Sequence, residues 1–229
     1  MSIGTNGIAR AAAHRRVGAS TVALDTASRR HVRSTAYLVD GDAVTYGELF
    51  AVVRRRAAAV RRRHGAHPAA PLALIADSSV DAVADLLAVL SAGHVALVLD
   101  ARWPPAAREA VSTAHGAVAL GQTAAPDEDV DGSVVWWDEA LWHGDDESAG
   151  APTALDWWRT AVVVGGAGHG AIHTHEEVHV AACDLARRAG LGPGTVFDLP
   201  ASVATLTGLV ALLAGLTAGA TVVGHPDPR

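Results

Sequence analysis

The sequence of 229 residues predicts an α/β protein in which parallel sheets are flanked by helices and arranged as two lobes. Short runs of four or five apolar residues alternate with amphipathic stretches of helical length in both halves of the chain. Polar residues suited to N-capping precede several of these stretches, and glycines follow them. Because the connections are short, we expect right-handed βαβ units.

The first lobe begins with a predicted pair of strands followed by a helix. Two short β runs, Tyr37–Val39 and Ala43–Tyr46, flank the turn signal Asp40-Gly41-Asp42. Thr45 and Glu48 have the spacing of a capping box, in which each side chain bonds the backbone N–H of the other residue. The helix that this box opens carries one apolar stripe and is expected to end at the next glycine.

Three further strands and two helices complete the first lobe. Pro71–Ile75 and Val95–Leu99 are continuously apolar, which is typical of strands buried on both faces of a sheet. Ser78-Ser79 opens the helix between them, and Pro104-Pro105 opens the next helix at its first turn, where a missing N–H costs nothing. The run Ala117–Leu120 is the last strand of this unit.

Residues 133–159 are predicted to form an acidic, tryptophan-containing connection between the first lobe, residues 1–132, and the second lobe, residues 160–229. Two tryptophan pairs bracket this segment, and Val134–Trp136 is expected to form a short strand within it. Anchoring of a long surface connection is a commoner use of such tryptophans than lining a ligand cleft.

The second lobe continues the alternation and contains a long uncharged run, Leu199–Gly224. The glycines and threonines of this run, and the lack of a basic flank, favour a buried helix and strand over a membrane span. Thr174 and Glu177 have the spacing of a second capping box, which opens a helix running to Gly190. The remaining elements expected here are strands at Thr160–Val164, Thr195–Leu199 and Ala220–Val223 and a helix at Val203–Ala218.

Charge and composition exclude several classes of function. The formal net charge of −6 argues against a nucleic-acid binder that works by bulk charge. All 18 basic residues are arginines, which excludes mechanisms that need a lysine from this chain, such as Schiff-base formation or a P-loop. The single cysteine, Cys183, fits a reducing compartment such as the cytoplasm, and Met1–Ser20 lacks the apolar core of a secretory signal. We expect Cys183 to be a buried, inert thiol on an apolar side of its helix.

Two arginine clusters, Arg54–Arg56 and Arg61–Arg63, lie on the helix that follows the first capping box. They allow two interpretations: a patch for an acidic partner or phosphate, or a helix face in contact with water. The solvated face is favoured, because most charge runs on surface helices have no other role.

The leading candidate for a ligand site is the glycine-rich segment between the first strand and the capping box of the second lobe. Four glycines in six residues exceed what a tight turn needs, and they allow backbone N–H groups to converge on an anion. The start of the following helix is expected to add positive potential. The candidate contacts for a nucleotide or other anion are Gly165, Gly166, Gly168, His169, Gly170 and Thr174.

The same region allows a zinc interpretation. His175 and His179 match His-Glu-x-x-His, in which histidines one turn apart bind zinc and the glutamate activates water. The third ligand would have to be Asp184 or Asp198. A capping box explains the acidic residues at the helix start as well, so these two histidines are weak metal candidates and no metal is assigned.

A dinucleotide interpretation is also open. Gly166–Ala171 fits the pattern G-x-G-x-x-[G/A], and Asp198 ends the next strand, where a ribose ligand is expected. The helix of this lobe starts late, at His175, and a single match of this pattern is weak.

Several motifs occur in a fixed order along the chain. Asp42–Leu49 reads DAVTYGEL, Leu86–Arg102 reads LLAVLSAGHVALVLDAR, and Gly170–His175 reads GAIHTH; Leu191–Gly194 and Ala218–Val223 fit as connectors. This set resembles the N-terminal part of the adenylate-forming superfamily, which comprises acyl-CoA synthetases, adenylation domains of peptide synthetases and luciferases. The resemblance implies two lobes like the N-terminal subdomains of AMP-binding synthetases.

The chain departs from this family where the family holds the phosphates of ATP. The family loop reads Thr-Ser-Gly-Thr-Thr-Gly-x-Pro-Lys-Gly, of which only Gly166 and Gly170 survive, and His169 stands in the place of the lysine. Each lost charge-assisted contact is worth roughly 1.5–3 kcal/mol. The aromatic–histidine pair near the family's acyl pocket falls on Ala204 and Thr205 and is missing as well.

The chain ends at Arg229, before the family's adenine and ribose motifs and its lysine-bearing lid. The resemblance therefore implies a truncated, non-catalytic or accessory homologue in the cytoplasm, with at most weak binding of ATP, AMP or an acyl ligand. One alternative is a partial adenylating lobe, for acyl or amino-acid activation, that a partner chain completes with the missing lobe. Another is a pure interaction module. Neither nucleic acid nor a membrane is expected as a partner.

Overall fold

The computed structural model describes residues 19–64, 71–121, 134–136, 160–164 and 171–225, which form an α/β fold as predicted. The helices in these residues are α1 (Ala19–Arg30), α2 (Tyr46–His64), α3 (Val80–Ala92), α4 (Pro105–Ala114), α5 (His175–Arg188) and α6 (Leu206–Ala218). The strands are β1 (Thr35–Val39), β2 (Asp42–Thr45), β3 (Leu72–Ala76), β4 (Ala96–Asp100), β5 (Val118–Gly121), β6 (Val134–Trp136), β7 (Thr160–Val164), β8 (Ala171–Thr174), β9 (Val196–Asp198) and β10 (Thr221–Val223).

The strands form two sheets in which the spatial order differs from the order along the chain. One sheet has the order β2-β1-β10-β9, and the other has the order β6-β5-β3-β4-β7-β8. The neighbouring strands are parallel, apart from the antiparallel pairs β1–β2 and β7–β8. Each sheet takes strands from both predicted lobes, residues 1–132 and 160–229, so the sheets do not coincide with that division of the sequence.

Several helix ends lie at the residues that the sequence indicated, although α6 begins at Leu206 and not at Val203. The Thr45 N–H donates to the Glu48 carboxylate at 2.9 Å and the Glu48 N–H donates to Thr45 Oγ1 at 3.2 Å, which confirms the first capping box. Ser79 caps α3 by accepting from a backbone N–H, and Gly93 ends this helix in the left-handed region at φ 87°. Pro105 is the first residue of α4, as predicted.

Helix α6 and strand β10 account for the uncharged run and confirm its prediction as a buried helix and strand. Gly215 lets β10 pack closely, because a Cβ there would lie 2.4 Å from Cγ2 of Val222. Gly219 ends the helix in the left-handed region at φ 81°. Within the described part of the chain, no helix is both long and apolar enough to cross a membrane.

Two elements were not predicted from the sequence. Helix α1 packs against α6 and α2 through Leu24 and Ala27, which are 3% and 4% exposed. Strand β8 stands between the glycine-rich segment and α5 and pairs antiparallel with β7. Its sequence, Ala171–Thr174, is too short to give a clear strand pattern.

The arginines of α2 are not all on a solvated face, which corrects the favoured interpretation of the two clusters. Arg56 is buried, and its guanidinium donates to Asp85 Oδ1 at 2.7 Å and to Asp81 Oδ1 at 2.6 Å. Arg61 donates to the Ser91 carbonyl at 3.2 Å. Arg56 and Arg61 thus tie α2 to α3, while Arg55 faces water.

The carboxyl group of Asp85 depends on this arrangement. Burial raises its pKa to about 6, although the neighbouring Arg56 cation acts in the opposite direction. Removing either member of the Arg56–Asp85 pair is expected to destabilise the fold, because the remaining partner would be a buried charge without a counter-ion.

We expect Arg56→Leu to lower the free energy of unfolding by about 3–5 kcal/mol, because Asp85 would lose its buried counter-ion. Urea denaturation at pH 7 measures this loss. The matched control is Arg55→Leu, on the exposed side of the same helix turn, which should stay within about 0.5 kcal/mol of wild type. Equal effects of the two substitutions would show that the buried pair does not stabilise the α2–α3 contact.

Candidate functional site

The glycine-rich segment joins two paired strands at one end of the six-stranded sheet. Its flanking residues Val164 and Ala171 are register partners, so the six residues between them connect β7 to β8 as a hairpin connection. The predicted contacts within the segment lie outside the described residues; these are Gly165, Gly166, Gly168, His169 and Gly170. The structure therefore describes only the strands on either side of this segment, β7 and β8, and their neighbour β4.

This edge is the one at which ligands bind in open parallel sheets. Strands β3, β4 and β7 run parallel, with Ala76 paired to Asp100 and Val98 paired to Val164. The segment after Val164 therefore starts at the carboxyl edge of the sheet, two positions from Asp100 in the neighbouring strand. Crevices at the carboxyl ends of such strands are the usual ligand sites of open α/β sheets.

Asp100 and Arg102 form an ion pair at this edge that sequence reasoning did not single out. Nε of Arg102 donates to both carboxylate oxygens of Asp100, at 2.9 Å and 3.2 Å, and the Arg102 backbone N–H also donates to this carboxylate. These hydrogen bonds hold the pKa of Asp100 below its usual range. An acidic residue that ends a buried strand, with an arginine two positions later, was the signal available in the sequence.

Thr174 lies at the other end of β8, where it pairs with Thr160. Its Oγ1 accepts from the Glu177 N–H at 3.2 Å, and its own N–H donates to the Glu177 carboxylate at 2.9 Å. The second capping box is thereby confirmed. That Thr174 also contacts a nucleotide stays a prediction.

The start of α5 does not supply the positive potential that was expected for the glycine-rich segment. Strand β8, four residues long and therefore roughly 13 Å, separates the segment from the first residue of α5. In addition, the Glu177 carboxylate occupies the helix N-terminus, and hydrogen bonds from Thr174 lower its pKa. A carboxylate at this position already neutralises the positive end of the helix dipole.

The dinucleotide interpretation is wrong, because two of its geometric requirements fail. The pattern Gly166–Ala171 has to lead directly into a helix, whereas here it leads into an antiparallel strand. Asp198, the expected ribose ligand, ends β9 in the four-stranded sheet, while the glycine-rich segment belongs to the six-stranded sheet. A ribose ligand would have to follow a neighbouring strand of the same sheet.

Neither Asp184 nor Asp198, the two candidates for a third zinc ligand, is free to join His175 and His179. Asp184 is ion-paired with Arg187 and Arg188, and Asp198 lies 3.8 Å from His225. In the parts of the chain that the structure describes, no three His, Cys, Asp or Glu side chains are grouped as metal ligands would be. His179 instead contacts Cys183, with 3.5 Å between Nε2 and Sγ. Cys183 is exposed, which corrects its prediction as a buried thiol.

His175, the first residue of α5, lines a small apolar cavity between helices and the six-stranded sheet. Burial lowers its pKa to about 4, so the ring is neutral at pH 7. The cavity has a volume of about 10 Å³, which is room for one water molecule and not for an acyl chain. Its apolar lining includes Leu24, Leu90, Val162, Val178 and Leu213.

The two sheets and their flanking helices have the fold of the N-terminal part of AMP-binding enzymes. The sequence model of the AMP-binding enzyme family matches residues 24–163, more than half of the chain, and the chain belongs to this family. The comparison with curated proteins found no match.

Solved structures share this fold at low sequence identity. The nonribosomal peptide synthetase FmoA3, bound to α-methyl-L-serine-AMP, superposes with a TM-score of 0.79 at 22% identity, over 90% of this chain and 24% of that one. VinN in complex with L-aspartate superposes with a TM-score of 0.75 at 16% identity, and the match covers 90% of this chain and 62% of VinN. The O-succinylbenzoate coenzyme A synthetase MenE from Bacillus subtilis superposes with a TM-score of 0.72 at 18% identity, and the match covers 90% of this chain and 44% of MenE. The chain thus spans a quarter to three fifths of these relatives.

We expect Thr174→Ala to lower the free energy of unfolding by about 1 kcal/mol, because the N-cap of α5 loses its acceptor. Thr174→Asn, which restores an acceptor, should recover most of this loss. Thermal and urea denaturation of the two variants measure the difference. A stability of Thr174→Ala equal to that of Thr174→Asn would contradict the capping role.

The depressed pKa of His175 predicts that acid destabilises the fold. In the unfolded chain, His175 binds a proton below its pKa of about 6.5, whereas in the folded chain it does so only below about pH 4. The free energy of unfolding therefore decreases as the pH falls from 6.5 to 4. The loss attributable to His175 is up to about 3 kcal/mol between pH 7 and pH 4.

His175→Leu should flatten this part of the stability profile, since leucine suits the apolar cavity and binds no proton. The exposed His225, replaced by Gln, serves as the control and should leave the profile unchanged. Urea denaturation at a series of pH values checks both. A wild-type slope retained in His175→Leu would assign the acid sensitivity to other groups.

Proposed function

We propose that this chain is an AMP-dependent synthetase/ligase-like protein that does not form acyl-adenylates by itself and binds ATP, AMP or an acyl ligand weakly at most. The observation that carries the proposal is the composition of the phosphate-binding segment. Where the family has hydroxyl donors and a lysine, this chain has Val162–Val164, glycines, an alanine and His169. We also propose a cytoplasmic location, in keeping with a lone cysteine.

The lost groups matter because phosphate binding in such loops combines backbone N–H donors with charge-assisted side-chain contacts. Glycines can still present backbone N–H groups, which is the basis for residual binding. A histidine in solvent is mostly neutral at pH 7, so His169 replaces the lysine charge only in part. Several missing contacts at roughly 1.5–3 kcal/mol each amount to a loss of many orders of magnitude in affinity.

The described surroundings of the segment support the same conclusion. The positive end of α5 is neutralised by the Glu177 carboxylate and lies one strand away. The guanidinium that the structure places at this sheet edge, that of Arg102, is engaged with the carboxylate of Asp100. Neither feature offers a free positive charge in exchange for the missing lysine.

The alternative proposal is a partial adenylating lobe that a partner chain completes. The solved relatives that this chain matches over 24% to 62% of their length include proteins bound to an aminoacyl adenylate or to an amino acid. In this alternative, the partner supplies the lysine and the remaining nucleotide contacts, and the substrate is an acyl or amino-acid group.

Restoring the lysine tests the proposal directly. We expect His169→Lys to tighten ATP binding by about 10- to 100-fold, because one charge-assisted phosphate contact returns. Isothermal titration calorimetry with ATP and Mg²⁺ measures the change. The control is His115→Lys, which adds the same charge at the end of α4 and should leave the affinity unchanged.

Pyrophosphate exchange decides between the proposal and its alternative. Wild-type chain alone, supplied with ATP and mixtures of carboxylic or amino acids, should show no exchange above background. Exchange by the chain alone would overturn the non-catalytic proposal. Exchange that appears only after addition of a lysine-bearing lid from an adenylating enzyme would favour the partial lobe.

A further inference from the structure

Helix α2 presents a group of exposed arginines outside the site described above. Arg54, Arg55, Arg62 and Arg63 are exposed in the second half of this helix, and together they are called the arginine face of α2. We propose that the arginine face is a docking surface for an acidic α-helix of another protein. This surface is independent of the nucleotide proposal, since no residue of the glycine-rich segment belongs to α2.

The packing of α2 does not account for these arginines. Two other arginines of the helix, Arg56 and Arg61, tie α2 to α3 through two aspartates and a backbone carbonyl. In contrast, Arg54, Arg55 and Arg63 form neither a hydrogen bond nor an ion pair with any residue that the structure describes. These three cations are therefore available to a ligand from outside the chain.

The charge of α2 is opposite in sign to that of the whole chain. The helix contains six arginines and one acidic residue, Glu48, whereas the formal net charge of the chain is −6. The Glu48 carboxylate is engaged with Thr45 at the other end of the helix. Like charges that are neighbours on a helix surface repel each other, and carboxylates of a partner would relieve this repulsion. The negative charge of the remaining surface would steer an acidic partner towards α2.

The spacing of the arginines fits the side of a second helix. Arg62 follows Arg55 by seven residues, which is nearly two complete turns, so both lie on one side of α2 and are about 10.5 Å apart along its axis. Arg54 and Arg63 flank this pair, one on each side. A partner helix that lies along α2 presents carboxylates at the same interval when its acidic residues are also seven positions apart. Each guanidinium can then bind a carboxylate through two N–H groups.

An acidic protein helix fits the arginine face better than a membrane or a nucleic acid does. Helices that bind the membrane interface insert large apolar side chains, and the large exposed apolar side chains of the described residues all lie outside α2. A nucleic acid carries phosphate charge far beyond the length of two helical turns, and the negative net charge of this chain would oppose its binding. A single acidic helix face brings its charge only to the arginines.

A designed peptide tests the docking surface. The probe is a fluorescein-labelled, alanine-based helical peptide with two pairs of glutamates seven residues apart, and fluorescence anisotropy at low ionic strength measures its binding. We expect the triple variant Arg54→Gln/Arg55→Gln/Arg63→Gln to bind this peptide about tenfold or more weakly than the wild type, because three ion pairs are lost. Added salt should weaken binding to the wild type and have less effect on the variant.

Two controls separate the arginine face from charge in general. The triple variant Arg108→Gln/Arg187→Gln/Arg188→Gln removes the same net charge from α4 and α5 and should bind the peptide within about twofold of the wild type. A peptide of the same composition, with its glutamate pairs on opposite sides of the helix, should bind the wild type more weakly than the probe does.

Circular dichroism confirms that each variant is folded before its binding is compared. The proposal is overturned if the folded wild type does not bind the probe at low ionic strength, or if both triple variants lose affinity equally. Equal affinity of the wild type for the two peptides also overturns it, as does tighter binding of phosphatidylserine vesicles or duplex DNA than of the probe.

Discussion

Helix α6 has no charged residue and is buried over most of its surface, and this burial organises the packing of both sheets. In α6, Leu209, Leu212, Leu213 and Leu216 are at most 2% exposed. The cover comes from α1 and α5, from β10, and from residues of both sheets that share one apolar core. Full burial of a leucine side chain is worth about 1.5–3 kcal/mol, so α6 contributes strongly to holding the two sheets together. Tyr46 strengthens this arrangement: its hydroxyl donates to the Ala220 carbonyl at 2.7 Å, across 174 residues of sequence.

The strand order also determines which residues meet at the carboxyl edge of the six-stranded sheet. Strand β1 pairs with both β2 and β10, whereas β7 pairs with β4 in the other sheet, so the chain passes between the sheets twice. The glycine-rich segment follows β7 and therefore begins at the carboxyl edge of the six-stranded sheet. The chain belongs to the AMP-binding enzyme family, and its segment Gly165–Gly170 contains neither a hydroxyl group nor a lysine.

Several charged side chains in the described residues form ion pairs or cap helices. With no lysine, all fixed cations are arginines, and Arg56 and Arg102 are both committed to carboxylates within the fold. The acidic residues Glu48 and Glu177 complete capping boxes and have lowered pKa values for that reason. In the described residues, these charged side chains therefore act in packing and in helix capping.

Sequence alone determined the local features of this protein. Caps at Thr45, Ser79 and Thr174, the glycine stop at Gly219 and most strands followed from patterns spanning fewer than about ten residues, since such signals act within one turn or one strand. Tertiary structure alone decided which strands share a sheet, and therefore that Asp198 ends a strand of a different sheet from β7 and β8, which flank the glycine-rich segment. It also decided that Arg56 is buried and Cys183 exposed. Burial and sheet pairing depend on elements far away in sequence, and no local pattern encodes which of those elements will cover a given side chain.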